Sequence, residues 1–268
     1  MYLTVNGDKT YGYTGGKAFD AAKPTVVFIH GVLNDHSVWI LQSRYLANHG
    51  WNVLAVDLPG HCKSEGAPAP SVESAAAFVV SLLDAAGIHK AALVGHSFGS
   101  LVALEVTASA PQRVSQLVMA GTAFPMKVSP ALLALSRDEP MKAIDMVNTF
   151  SHSMLAPPPS SLGPGTWLYG GSRALMRRVL HSNASINLFY TGFKACDDYA
   201  GGDVAMARVR CETLFILGRS DQMTLPKAAQ GLISQAAHGK VVVVDAGHQL
   251  MLEAPDAVLL ALQEFLRP

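Results

Sequence analysis

Three short stretches hold residue types that together could cleave an acyl bond. The first is Gly95-His96-Ser97-Phe98-Gly99, which directly follows the apolar run 91–94 and opens a helical pattern. A serine on a sharp strand-to-helix turn has its hydroxyl exposed, and the flanking glycines let the backbone bend that tightly. Alone, the same five residues also fit a glycine-rich turn in which Ser97 merely caps a helix. The second stretch is His30-Gly31-Val32, after the run Thr25–Ile29. A loop there can aim the Val32 N–H at the carbonyl oxygen under attack, with a second N–H from Phe98, the residue after the candidate nucleophile. The third is the late pair Asp221 and His248, just beyond the apolar runs 213–217 and 241–244. A serine hydroxyl needs an adjacent base, and a histidine base needs a carboxylate to hold its tautomer. Ser97, His248 and Asp221 are the candidates for these three roles.

Nearby residues compete for the same roles. Asp245 lies three residues before His248, but Asp221 has the better position beyond a strand end. His96 adjoins the candidate nucleophile on a tight turn, so it is expected to pack against the His30-Gly31 loop rather than act as a base. Asp57 is expected to anchor its own loop. Cys62 has no turn of the Gly95–Gly99 kind around it and is not taken as a nucleophile.

Positioning such residues requires a particular arrangement of elements. Short, nearly all-apolar runs recur at Thr25–Ile29, 53–56, 92–94, 117–119, 213–217 and 241–244. Strands buried on both faces read this way. Between them lie helical patterns at 71–86, 97–110, 226–237 and 254–266, with Ser71 as an N-cap, Gly87 as a stop, and Pro226 and Pro255 near helix starts. Strand–helix alternation predicts βαβ units and a mostly parallel sheet, an α/β fold whose sites lie beyond the carboxyl ends of the strands. Leu3–Val5 and Tyr11–Tyr13, with Asn6-Gly7 between them, predict an opening antiparallel hairpin.

The alternation stops between about Ala123 and Ala207. This stretch holds Pro125, Pro130, Pro140, the run Pro157-Pro158-Pro159 and Gly163–Gly165, with helical pieces at 131–135, 141–150, 172–180 and 186–193. The expected organisation is a core of residues 1–122 and 208–268, with a helical insertion over 123–207. Met126, Met141, Met146, Met154, Met176, Phe124, Trp167, Tyr169, Phe189, Tyr190 and Phe193 could give the insertion a deformable apolar wall over a pocket.

Composition excludes several other classes. The 268 residues carry 20 Lys+Arg against 20 Asp+Glu, half are hydrophobic and 15% are charged. A balanced charge argues against nucleic-acid binding, and the apolar content against disorder. The most apolar stretch, residues 91–110, is broken by Gly95 and Gly99 and contains His96 and Glu105, so no membrane span is expected. The N-terminus lacks a basic start followed by an apolar run, and a cytoplasmic location is expected. Cys62, Cys196 and Cys211 are widely spaced and form no CxxC pair, so neither a disulfide framework nor a metal site is expected.

Taken together these motifs resemble those of capped α/β-hydrolase-fold enzymes. The resemblance includes His30-Gly31 followed by Trp39, Asp57-Leu58-Pro59-Gly60-His61 before Ser64, and Gly247-His248 followed by Glu253-Ala254-Pro255. It implies an α/β-hydrolase fold, a catalytic set of Ser97, Asp221 and His248, oxyanion donors from Val32 and Phe98, and no cofactor or metal. Cys62 departs from the pattern, standing where the family usually has a second glycine, and the insertion matches no family pattern. The implied function is hydrolysis of a carboxylic ester with a small or medium apolar acyl group. C–C bond hydrolysis, lactone opening and cofactor-free perhydrolysis use the same triad, and a catalytically silent ligand-binding protein is the alternative from another class. Arg173, Arg177 and Arg178 could serve a dienoate carboxylate.

Overall fold

A computed structural model describes residues 1–20, 22–153 and 167–267. Met154, Pro157-Pro158-Pro159 and Gly163–Gly165 lie outside the described residues. The chain opens with β1 (Tyr2–Val5) and β2 (Asp8–Tyr13), an antiparallel hairpin. Asn6 and Gly7 both have positive φ, 51° and 95°, as a two-residue hairpin turn with the strands' own twist requires. Then follow β3 (Thr25–Ile29), α1 (Ile40–Asn48), β4 (Asn52–Val56), α2 (Val72–Ala85), β5 (Ala91–His96), α3 (Phe98–Ser109) and β6 (Val114–Ala120). Among the described residues, five α-helices lie between β6 and β7: α4 (Pro130–Asp138), α5 (Pro140–Ser151), α6 (Leu168–Ser182), α7 (Leu188–Asp198) and α8 (Gly202–Met206). The chain closes with β7 (Glu212–Gly218), α9 (Gln230–Gln235), β8 (Gly239–Val244), α10 (Leu250–Glu253) and α11 (Pro255–Phe265).

The strands form one eight-stranded sheet in the order β1-β2-β4-β3-β5-β6-β7-β8. β2 is antiparallel to β4, and every pairing from β4 through β8 is parallel. The all-apolar runs follow from burial on both faces: Val27 and Ile29 of β3 pack with α2 and α3, while Val26 and Phe28 pack with α1 and α11. The six expected parallel strands are present; β3 has the expected bounds and the other five are longer than expected. The pattern at 226–237 is a 3₁₀ turn (Pro226–Ala229) followed by α9. Helix α1 was not anticipated; two of its four buried residues are the polar Gln42 and Ser43, which blur its apolar face.

Helices α4 to α7 have a small core of their own, in which Ile144, Met176, Val179 and Phe189 surround Leu33 of the β3–α1 loop. Helix α8 instead packs on α3, and Ala205 and Met206 join the main core.

Candidate active site

β5 delivers Ser97 to a tight turn whose backbone conformation is rare for a residue with a side chain. Ser97 has φ 53° and ψ −120°, a strained conformation for a residue with a Cβ. A Cβ on Gly95 would lie 2.0 Å from the Gly99 carbonyl oxygen, and one on Gly99 would lie 2.4 Å from that of Ile29. Both positions therefore need glycine for strand and helix to approach this closely. The turn is locked by the Ser97 N–H donating to the Ala120 carbonyl at 2.9 Å. Ser100 Oγ donates to the Ser97 carbonyl at 2.5 Å and lies 2.8 Å from Thr122 Oγ1.

His248 and Asp221 meet from separate loops. Nδ1 of His248 lies 2.8 Å from Oδ2 of Asp221, and both residues are buried. Asp221 Oδ1 accepts the N–H groups of Met223 and Thr224, each at 2.8 Å, and Thr224 Oγ1 donates to Oδ2 at 2.7 Å. Burial alone would push the Asp221 carboxyl up. Attraction to the His248 ring when that ring is protonated, together with these hydrogen bonds, outweighs it and holds the carboxyl below the usual range. Asp245 is elsewhere: its side chain is 85% exposed and accepts from Arg219 Nε at 2.6 Å.

Ser97, His248 and Val32 line one cavity of about 310 Å³. Val32 and Phe98 also share a smaller pocket beside it, and among the described residues neither main-chain N–H has a hydrogen-bond partner. The Asn34 N–H closes a turn onto the Gly31 carbonyl at 3.2 Å, with Leu33 at φ 52°, and this turn presents Val32. His30 braces the loop from behind, its Nδ1 2.8 Å from the Gly31 carbonyl oxygen and its Nε2 accepting the Leu58 N–H at 3.1 Å.

Several supports carry only faint sequence signals. Nε2 of His96 lies 2.9 Å from the His248 carbonyl oxygen, and the two rings are 4.7 Å apart. Burial, reinforced by the repulsion a protonated His248 would exert, holds the His96 pKa down to about 3, so the ring is a neutral Nε2–H donor. Thr224 stands three residues after Asp221, a spacing that marks a carboxylate-capped turn. Glu253 reaches back to accept the Gly247 N–H at 3.0 Å and the Ser153 N–H at 2.8 Å.

Of the apolar residues expected to face a pocket, Met126, Met146, Met176, Phe189 and Phe193 line the cavity. Phe124 instead packs on Tyr199 in the main core. Arg173, Arg177 and Arg178 do not line the cavity; Arg173 pairs with Asp145 and Arg178 with Asp35. Asp35, His36 and Asp57 bring three possible metal-ligand atoms within 4.8 Å of one another. Asp57 already binds the His36 ring at 2.7 Å, and Asp35 is taken by Ser37 and Arg178. Cys62 has φ 48°, the conformation glycine would adopt without strain. Burial beside Asp35 and Asp57 pushes its thiol up to about 12, which leaves it unreactive as a nucleophile. No helix among the described residues is long and apolar enough to cross a membrane.

Comparison with known proteins agrees with this architecture. The sequence profile of the α/β hydrolase fold family matches residues 24–149. The dihydrolipoyllysine-residue acetyltransferase component of the acetoin cleaving system of Cupriavidus necator is 38% identical over 121 residues. That match covers 44% of this chain and 31% of the longer protein, so the chain spans under a third of it. The (E)-2-((N-methylformamido)methylene)succinate hydrolase of Acinetobacter baylyi is 24% identical, with 90% of this chain and 89% of that protein covered. The crystal structure of the enol-lactonase from Burkholderia xenovorans LB400 superposes with a TM-score of 0.83 at 23% identity, covering 99% of both chains. An eight-stranded, mostly parallel sheet with a serine turn after β5 thus agrees with profile and superposition alike: the chain is an α/β-hydrolase-fold protein.

Proposed function

We propose that the chain is a serine hydrolase that cleaves a carboxylic ester of small or medium, mainly apolar acyl group through an acyl-enzyme. The observation that carries this reading is the buried 2.8 Å contact between His248 and Asp221 in the wall that also holds Ser97 on its strained turn. Neutral His248 takes the Ser97 proton as Oγ attacks the acyl carbonyl, then returns it to the leaving alcohol. Asp221 keeps the Nδ1–H tautomer, so that Nε2 is the basic nitrogen, and stabilises the imidazolium. The Val32 and Phe98 N–H groups receive the developing oxyanion; a donor of this kind contributes about 3 kcal/mol to the transition state. Water activated by His248 then releases the acid.

A cavity of about 310 Å³ lies at the small end of ligand sites, in keeping with a short or medium acyl chain. Residues 123–207 act in this reading as a cap, with α5, α6 and α7 supplying apolar wall residues. Arg173 and Arg178 are paired with Asp145 and Asp35, and among the described residues no arginine, Arg177 included, lines the cavity to meet a dienoate carboxylate, which ranks C–C cleavage below ester hydrolysis. A fluorophosphonate probe should add one adduct to the native protein and none to Ser97→Ala. Labelling that survives the substitution would remove Ser97 from the role. A panel of chromogenic esters, run beside lactone and dienoate substrates, tests the bond cleaved.

A further inference from the structure

Around the cavity, three neutral polar side chains lack the partners that buried polar groups normally have. Asn34 is 3% exposed and lines the cavity, and its side-chain amide makes no hydrogen bond among the described residues. Gln249, 4% exposed, also lines it, and its Oε1 is buried without a partner among the described residues. Ser151 Oγ is in the same condition. Ser151 and Gln249 are held together, the Gln249 N–H donating to the Ser151 carbonyl at 3.1 Å. Gln249 directly follows His248, and Asn34 sits at the end of the turn that presents Val32, so these groups flank the acyl-cleaving set. The wall between is largely apolar, with Val128, Leu132 and Met176.

An unpaired buried amide or hydroxyl is unfavourable unless a ligand supplies its hydrogen bond. What that ligand group can be is limited by charge. Among the described residues, Lys127 is the one Lys or Arg lining the cavity; it is exposed, and its ammonium donates to the Asp197 carbonyl. A carboxylate buried here would meet no buried cation, and burying an unpaired charge is far more unfavourable than burying a hydroxyl.

We propose that Asn34, Ser151 and Gln249 form a neutral polar subsite that takes an uncharged hydrogen-bonding group, a hydroxyl or an amide, on the acyl part of the substrate. The inference rests on Ser97 as the acyl-accepting nucleophile and narrows the substrate to hydroxy- or acylamino-substituted esters or lactones. Plain fatty esters leave the three groups unpaired, and half-esters of dicarboxylic acids bring a charge the wall does not neutralise.

The test compares kcat/KM for the p-nitrophenyl esters of hexanoic acid, 3-hydroxyhexanoic acid, N-acetyl-β-alanine and adipic acid as its half-ester. Native protein should prefer the better of the two neutral polar esters over hexanoate by at least about tenfold, because a site built to hydrogen-bond rejects the analogue lacking the group. The adipate half-ester should be the poorest. Asn34→Leu and Gln249→Leu should each bring the polar-to-plain ratio towards one, thermal melting showing which variant is folded. A native ratio near one, a ratio that survives in the folded variants, or a preference for adipate overturns the subsite. The native ratios decide the matter if neither variant folds. The underlying reading fails separately, if Ser97→Ala still hydrolyses the hexanoate ester at the native rate.

Discussion

His248 donates its main-chain N–H to the carbonyl of Ser151 at 2.8 Å, so the loop carrying the proposed base leans on the last turn of α5. Ser153, two residues on, is gripped by Glu253, which also holds Gly247. The segment between β6 and β7 therefore does more than line the cavity: its α5 end also holds the loop of a member of the proposed catalytic set.

Glu253→Gln keeps the side chain's shape but turns an amide –NH₂ towards N–H groups that need an acceptor. Hydrogen bonds to charged groups contribute about 1.5–3 kcal/mol, and an opposed buried donor adds to the loss. Urea unfolding should show destabilisation of at least about 2 kcal/mol, and kcat should fall more than KM rises. A variant with native stability and native kcat would show that this joint does not position His248.

Asp221 and Asp245 separate cleanly. Removing the orienting carboxylate leaves the histidine in the wrong tautomer, which in a related triad reduces kcat by about 10⁴. Asp221→Asn should fold and lose at least about a hundredfold in kcat, a bound set low because such contributions vary. Asp245→Asn should stay within about tenfold of the parent, since its carboxylate faces solvent. The reverse order in folded proteins would make Asp245 the acid.

Acid should unfold the protein earlier than its carboxylates require. Burial lowers the pKa of His30, that of His61 to about 4 and that of His96 to about 3, against an ordinary histidine value near 6.5. Between pH 6.5 and 4 the unfolded chain binds protons at these positions that the folded chain refuses, so stability falls as pH falls through this window. The Asp221 carboxyl, held below its usual value, contributes stability that is present above about pH 4 and lost only below it. Tm should decline steadily from pH 6.5 to 4, and His61→Gln should flatten the decline. A Tm constant across that range contradicts the assignment.

Cys62→Gly tests the departure in the loop after Gly60. A non-glycine residue in the left-handed region costs about 1–2 kcal/mol, and glycine gives back part of this through greater freedom in the unfolded chain. Loss of the 3.4 Å Cys62 Sγ–Asp35 contact is minor. Tm should stay level or rise by a few degrees; a clear fall would mean that the thiol contact outweighs the backbone strain.

What could be read from the residues alone was uneven for physical reasons. Thr25–Ile29 and the five other apolar runs stood out because strands covered on both faces have no polar phase to blur them. Gly95 and Gly99 were legible because only glycine tolerates the backbone contacts made there. Asp221 and His248 are legible as strand-end residues and Glu253 as part of a motif, but the roles of Thr224, Ser151 and Glu253 are not. Their roles arise from main-chain and side-chain contacts between segments far apart in sequence, such as the one linking residues 153 and 253. Asn34 gave no signal either, since an asparagine in a turn is ordinary and only its unpartnered place in the cavity wall sets it apart.

β6 and β7 are parallel neighbours, so the chain must travel from the carboxyl edge of one strand back to the amino edge of the other. Helix α8, seated on α3, lies in that return, which leaves α4 to α7 as an excursion made before it. Such an excursion involves no strand pairing, so a graft in this region would alter the part of the cavity wall that α4 to α7 supply and leave the part built from Val32, Asn34 and Gln249 in place. The graft has one boundary condition: whatever replaces α5 must still offer a carbonyl where Ser151 does, or the donor segment will arrive with a new pocket and a displaced His248.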